Sequence, residues 1–335
     1  MKINYIISKI WNELEEQKNI GLVKRLYSSE ISFPIYATFQ YPDKHYGVAF
    51  NFSKDIRIDV SLFNKLSQLK VSLLVDTTFN NSQLLVIQLL TPENHDVFAV
   101  LCENLIKSII SIDSELKRSK SIINQLAKWK ALFEKYNNNG LSESEQQGLY
   151  GELHFLEKTL TINEIDPLFV LVRWVGVDKE LRDFQGNEWA LEVKTTSTNN
   201  PQKITINGER QLDETHIRNL NLFHLSVEVS KTNGQTLCQK ILQLRELLKN
   251  DIPALQLFNS KLFVVGYFDK HELNYIDRYY KIRSENYYKI ENEFPRIKEN
   301  ELRKGISDVR YSIILSMCNE YLIPEQEVIN SIILS

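Results

Sequence analysis

Few residues in this chain are available to build a disulfide framework or a zinc–thiolate cluster. Its 335 residues include three cysteines, Cys102, Cys238 and Cys318, which lie far apart. Both kinds of site need paired or closely spaced cysteines, so this odd, scattered set excludes them. We predict instead that each cysteine packs as a small apolar side chain.

Long apolar runs and a strong excess of one charge are also absent. No stretch reaches the roughly 18 apolar residues of a membrane span, and the N-terminus, MKINYIISKIWNELEEQ, lacks a secretory signal pattern. We therefore expect a cytoplasmic protein with no membrane partner. The formal net charge is −3, from 40 basic and 43 acidic residues. Any contact with nucleic acid must come from a local patch.

What remains is an ordinary globular composition, 43% hydrophobic and 25% charged, long enough for two or three domains. Changes in pattern along the chain predict three segments. Residues 1–137 form an α+β module with a helical linker that stops at the NNNG sequence. Residues 138–270 form the core, and residues 271–335 form a C-terminal β/α extension packed on it.

The predicted elements favour an α/β class, α+β overall, with a mixed β-sheet flanked by helices. In the first segment we predict a helix over residues 4–17 and a hairpin in FPIYATFQYPDKHYGVAFNF. In the core, GLYGELHFLEKTL is predicted to be helical, with a capping box from Ser142 to Glu145. Predicted strands follow at PLFVLVRWVG, KELRDFQ, EWALEVKTT, KITI, FHLSVEVS and KLFVVGYFD.

One of these strands, ALEVKTT, carries two charges where a buried strand should be apolar. Glu192 and Lys194 are two residues apart and so point to the same face, while Ala190, Leu191 and Val193 mark the strand as buried. Burying a charge is costly unless it is paired or bound to a metal. The simple alternative is a salt bridge on an exposed edge strand, worth about 0–1 kcal/mol.

A third charged residue gives this pair a chemical context. Asp183 ends the preceding predicted strand, and a turn at residues 185–188 would bring it beside Glu192 across a hairpin. Two converging carboxylates repel each other, and a hard divalent cation such as Mg²⁺ relieves that repulsion. Lys194 on the same face would orient a metal-bound water and stabilise developing negative charge. This is the outline of a site that hydrolyses phosphodiesters.

The arrangement resembles the PD-(D/E)XK, or restriction endonuclease-like, nuclease superfamily. The matching residues are Asp183 and then residues 192–194, with Glu152 on the helix before the first core strand. Gly148 and Gly151 would let that helix pack closely. The resemblance covers roughly residues 140–315 and indicates a bacterial member associated with defence or restriction. The chain departs from the motif at residue 182, where Arg replaces Pro.

The resemblance implies a Mg²⁺ cofactor, with Mn²⁺ as the alternative, and a restriction endonuclease-like core. The implied metal ligands are Asp183, Glu192 and the carbonyl of Val193. The other implied site residues are Lys194 at the attacking water, Glu152 as an assisting carboxylate, and Arg210 and Gln211 as phosphate contacts.

The leading interpretation is a Mg²⁺-dependent DNA endonuclease of a bacterial restriction–modification or anti-phage system. By analogy, its partners would be DNA, an ATPase or methyltransferase subunit, and a second copy of the chain in a homodimer. Two alternatives stay open at this point. One is a non-catalytic subunit that binds DNA or a partner, and the other is a nuclease that acts on RNA.

Overall fold

The computed structural model describes residues 6–64, 66, 68–92, 95–136, 140–162, 165–178, 181–198, 202–215 and 217–333. The chain divides into two compact units, Met1–Asn138 and Asn139–Ser335. The predicted boundary at residue 137 falls between the described ranges, as do residues 179 and 180 of the predicted KELRDFQ strand.

The first unit is an antiparallel sheet with helices, in strand order β1-β2-β3-β5-β4. Trp11 joins helix to sheet, because its Nε1 donates to the carbonyl of Gly47 at 2.8 Å while its ring stacks on Phe98. The predicted N-terminal helix and hairpin are both confirmed. The elements are α1 (Ile6–Glu16), β1 (Gly21–Leu26), β2 (Ile35–Tyr41), β3 (His45–Ser53), β4 (Leu69–Val75), β5 (Ser82–Leu89), α2 (His95–Ile110) and α3 (Glu115–Tyr136).

The second unit is built around a mixed sheet, so the predicted α+β class is confirmed. Its elements are α4 (Glu143–Leu160), α5 (Pro167–Arg173), β6 (Phe184–Gln185), β7 (Trp189–Thr196), β8 (Lys203–Ile206), β9 (Asn219–Ser230), β10 (Gln235–Thr236), α6 (Leu237–Leu248), α7 (Ile252–Val265), β11 (Tyr279–Lys289), β12 (Tyr311–Ile314), β13 (Leu322–Ile323) and α8 (Glu325–Ile333).

The central strands run in the order β10-β11-β9-β7-β6, with β13 also paired to β11. Strands β7 and β9 are parallel, whereas β6 pairs with β7 and β11 pairs with β9 in antiparallel fashion. A separate two-stranded ribbon, β8 with β12, contributes Ile204, Ile206 and Ile313 to a core cluster that also contains Leu222 of β9. The ribbon therefore packs on the sheet through its apolar face.

Helix α4 lies against β7 because one glycine allows close approach. A Cβ at Gly151 would lie 1.8 Å from Thr195 Oγ1, so no larger residue fits without displacement. The predicted capping box is present, since Ser142 Oγ accepts from the amide of Glu145 and the Glu145 side chain accepts from Ser142. The expectation that Gly148 also allows close packing is wrong, because a Cβ there meets no atom within 4 Å.

Two predicted strands are helices. PLFVLVR forms α5, whose N-cap Asp166 accepts from the amide of Leu168, and the KLFVV sequence lies within α7. Helix α7 begins after Asp251, whose side chain accepts from the amide of Ala254, and it ends at Gly266 with φ 95°. In both segments a short apolar run has no helical periodicity to reveal it. The capping residues and the early proline decide the outcome.

The C-terminal segment supplies part of the central sheet. Two tyrosine pairs, Tyr279–Tyr280 and Tyr287–Tyr288, lie on β11. Tyr287 stacks on Phe223 at 4.7 Å between ring centroids, and Tyr280 stacks on Tyr150 at 4.5 Å. These tyrosines therefore pack within the unit. The three cysteines are buried and free, as predicted.

Candidate active site

A cavity of about 530 Å³ lies beside β7 in the second unit. Strand β6 pairs with β7 only at Leu191 and Ala190, so the sheet edge opens from Glu192 onward. The cavity walls come from α4, β7 and β8 and from the residue before β12. Side chains from both faces of the sheet therefore meet at this edge.

Four predicted site residues line this cavity: Glu152, Asp183, Glu192 and Lys194. Glu192 is only 2% exposed, and its Oε1 lies 2.7 Å from the Nζ of Lys194. Its other carboxylate oxygen, Oε2, is buried without a hydrogen-bond partner among the described residues. The pair is therefore not a surface salt bridge, and it leaves one acceptor unsatisfied.

Asp183 is fixed by contacts from two directions. Its Oδ2 accepts a hydrogen bond from the amide of Val193 at 2.7 Å, and its carbonyl accepts from the amides of Val175 and Gly176 at 2.9 Å. A Cβ at Gly176 would lie 2.6 Å from Asp183 Oδ1, so that glycine is needed for the approach. The predicted β6–β7 hairpin therefore exists, and it carries Asp183 to the strand that holds Glu192.

Glu152 reaches the cavity from α4 and is oriented by a buried tryptophan. The Nε1 of Trp174, a fully buried side chain, donates to Glu152 Oε2 at 2.7 Å. Burial raises the pKa of Glu152 to about 7, and the charge of Glu192 adds to this shift while the hydrogen bond from Trp174 opposes it. Glu152 is thus a carboxyl group that gains or loses its proton near neutral pH.

Burial and mutual repulsion perturb the other charges as well. Burial raises the pKa of Asp183 well above its usual range, and the charges of Glu192 and Glu152 raise it further. Burial also raises the pKa of Glu192, against the opposing charges of Lys194 and Arg182. Burial acts to lower the pKa of Lys194, but the attraction of the surrounding carboxylates outweighs it and the pKa is raised.

The donor set fits a hard divalent cation held by few protein ligands. Asp183 and Glu192 are carboxylates that repel each other, and Glu192 Oε2 is a buried oxygen in need of a partner. Mg²⁺ is typically held by one or two carboxylates and keeps several waters. Within the described ranges, no three His, Cys, Asp or Glu side chains form a metal-binding group. Asp183 and Glu192, which both line the cavity, are the carboxylates that could hold such a cation.

Two predicted phosphate contacts have different surroundings. Gln211 lines the cavity, and its Oε1 accepts from the amide of Asn207 at 2.9 Å. Arg210 does not line the cavity; its exposed guanidinium pairs with Glu299 at 2.5 Å. Val193 also lines the cavity.

Three cations near the cavity were missed in the sequence. Arg182 is 6% exposed, donates to the carbonyls of Asp213 and Arg210, and lies close enough to Glu192 to lower that residue's pKa. Lys203 and Arg310 line the cavity itself. A signal existed for Lys203, since KITIN alternates polar and apolar residues.

One of three comparisons with known proteins finds a match. No curated protein and no solved structure matches the chain significantly. No helix among the described residues has both the length and the apolar character that crossing a membrane requires. One family model, described as "Putative PD-(D/E)XK family member, (DUF4420)", matches residues 7–316, nearly the whole chain. The chain therefore belongs to this PD-(D/E)XK family.

Proposed function

We propose that this protein is a Mg²⁺-dependent endonuclease that hydrolyses DNA phosphodiester bonds in a bacterial restriction or anti-phage system. The observation that carries the proposal is the meeting of Glu152, Asp183, Glu192 and Lys194 in one cavity, with Glu192 Oε2 buried and unpaired. Family membership supports the nuclease class.

Asp183, Glu192 and the carbonyl of Val193 would hold the cation, with Mn²⁺ as an alternative to Mg²⁺. When bound, a divalent cation supplies positive charge that polarises the phosphoryl oxygen and acidifies water. The ammonium of Lys194 would shift from its ion pair with Glu192 toward the attacking water and the negative charge developing on the phosphate. Glu152, with a pKa of about 7, would exchange a proton with that water.

Plasmid cleavage tests the assignment directly. We expect the wild type to nick or linearise plasmid DNA with Mg²⁺ and to lose that activity in EDTA. Lys194→Ala and Asp183→Asn should each lower the rate by about 100-fold or more, because each removes a group that acts on the transition state. Glu188→Ala and Lys249→Ala are matched controls, since both residues are exposed and form ion pairs elsewhere. Cleavage that survives in both site variants would overturn the site assignment.

The same assay separates the alternative functions. Cleavage of structured RNA but not of plasmid DNA would favour an RNA-directed nuclease with the same residues. No cleavage of methylated or unmethylated DNA, even with partner ATPase or methyltransferase subunits added, would favour a scaffold subunit. The buried charges of the site argue for the enzyme, because a scaffold does not need such costly groups in its interior.

A further inference from the structure

Lys203 and Arg310 are cavity cations that the proposed chemistry leaves unused. Both are exposed, and neither makes an ion pair or side-chain hydrogen bond with any described residue. Lys194, by contrast, is already paired with Glu192 at 2.7 Å. Two free positive charges at the rim of a carboxylate-rich cavity are available to an anionic ligand.

The β8–β12 ribbon presents Lys203 on a polar face that is fixed to the core. Lys203, Ile204 and Thr205 all line the cavity. Lys203 is exposed and Thr205 partly so, whereas Ile204 and Ile206 are 1% and 0% exposed. This alternation follows from strand geometry, in which successive side chains point to opposite faces. Because its other face is buried, the ribbon holds its polar face in a constant position.

Arg310 lies at the other end of the same ribbon. It precedes Tyr311, which pairs with Ile206, so its backbone lies near Asn207 at the end of β8. The amide of Val309 donates to Glu209 Oε2 at 3.0 Å, which anchors the chain one residue before Arg310. The backbones of the two residues are thus separated by about four strand residues, or roughly 13 Å along the ribbon.

We propose that the β8–β12 ribbon binds two backbone phosphates of one DNA strand through Lys203 and Arg310, an inference that rests on the proposed nuclease function. One DNA strand carries a phosphate about every 3.4 Å of helix axis. A roughly 13 Å separation therefore covers several phosphates. Thr205 and Asn207 line the cavity between the cations and add hydrogen-bonding groups. Such contacts set position and affinity without reading sequence.

The salt dependence of DNA binding tests the proposal. Binding of a labelled DNA duplex is measured by fluorescence anisotropy in EDTA, between about 50 and 200 mM KCl. Each lost phosphate contact lowers the slope of log affinity against log salt by about 0.9. We therefore expect the double variant Lys203→Ala/Arg310→Ala to have a slope about 1.8 shallower than wild type.

Matched controls separate a specific contact from general charge loss. Arg303→Ala/Lys304→Ala removes the same net charge from two exposed residues outside the cavity wall and should keep the wild-type slope. The swap variant Lys203→Arg/Arg310→Lys keeps both charges and should also keep it. With Mg²⁺, the alanine pair should raise KM about tenfold and keep kcat within about twofold of wild type. This is expected when the lost contact binds the substrate and the transition state equally well.

The outcomes for the ribbon and for the nuclease are distinct. If the wild type cleaves DNA but the alanine pair keeps the wild-type slope and KM, the ribbon does not bind phosphate and the nuclease assignment stands. The same conclusion follows if the control pair loses as much slope as the alanine pair. If the wild type neither binds nor cleaves DNA, the proposed function itself fails.

Discussion

Single side chains of the candidate site owe their charge state to burial. Glu152 shows this most clearly, because its pKa of about 7 lies well above the ordinary value of 4.5. Between these two values the folded protein keeps a proton that the unfolded chain loses. The free energy of unfolding therefore falls as the pH rises through this interval.

Glu152→Gln should make the free energy of unfolding fall less steeply as the pH rises. The amide keeps an oxygen acceptor for Trp174 but cannot ionise. The free energy of unfolding of the variant, relative to that of wild type, should therefore rise by on the order of 2 kcal/mol from about pH 5 to pH 7.5. Urea unfolding in EDTA at both pH values measures the difference. Glu188→Gln, at an exposed position, is the control. Parallel pH dependence in wild type and Glu152→Gln would contradict the pKa assignment.

Arg182 should act through the charge of Glu192. Arg182→Gln removes a cation that lowers the Glu192 pKa, so more of Glu192 stays protonated at low pH. We expect plasmid cleavage to fall about three- to tenfold at pH 6 and to recover toward wild type at pH 9. Arg218→Gln, on an exposed residue, should leave the pH profile unchanged. An equal loss at every pH would indicate a purely structural role.

Among the secondary-structure elements, the contact of α4 with β7 sets where Glu152 meets the strand. Gly151→Ala should lower the free energy of unfolding by about 1–3 kcal/mol, because its Cβ overlaps Thr195. Gly148→Ala should raise stability by about 0.5–1 kcal/mol, since that position is open and helical. Urea midpoints of the two variants give the comparison. Similar stability changes in both would refute the close contact.

Some elements were predictable from sequence because local signals agreed with the fold. The capping box at Ser142 located α4, and the turn after Asp183 located the hairpin that brings it to Glu192. Helices α5 and α7 were missed because β-branched apolar runs suit a buried helix and a buried strand equally. Their caps, Asp166 and Asp251, were the deciding signals.

At the scale of the whole molecule, the site depends on residues that no local pattern joins. Lys203 and Arg310 reach one cavity only because β8 pairs with β12 across a long stretch of sequence. Trp174 supports Glu152 from a different element. Pairings of this kind come from tertiary packing, so the motif residues could be found in the sequence and their supporting residues could not.

Metal binding should stabilise the full chain in a pH-dependent way. Mg²⁺ at about 100 times its Kd should raise the free energy of unfolding by about 2.7 kcal/mol. The raised pKa values of Asp183 and Glu192 mean that protons compete with the cation, so the gain should be larger at pH 8 than at pH 6. Thermal unfolding with Mg²⁺ or EDTA measures it. The Asp183→Asn/Glu192→Gln variant should show no gain, and an equal gain there would place the cation elsewhere.

The hydrogen bond from the amide of Val193 to Asp183 Oδ2 also bears on the choice of an inactive variant for a complex with uncleaved DNA. Asp183 takes the place that a neighbouring strand would otherwise fill, so its carboxylate is part of the main-chain architecture. Asp183→Ala would leave that amide unpaired, and a loss of activity would then mix chemistry with a displaced strand. Asp183→Asn keeps an acceptor oxygen, and it is the variant to combine with uncleaved DNA for structure determination.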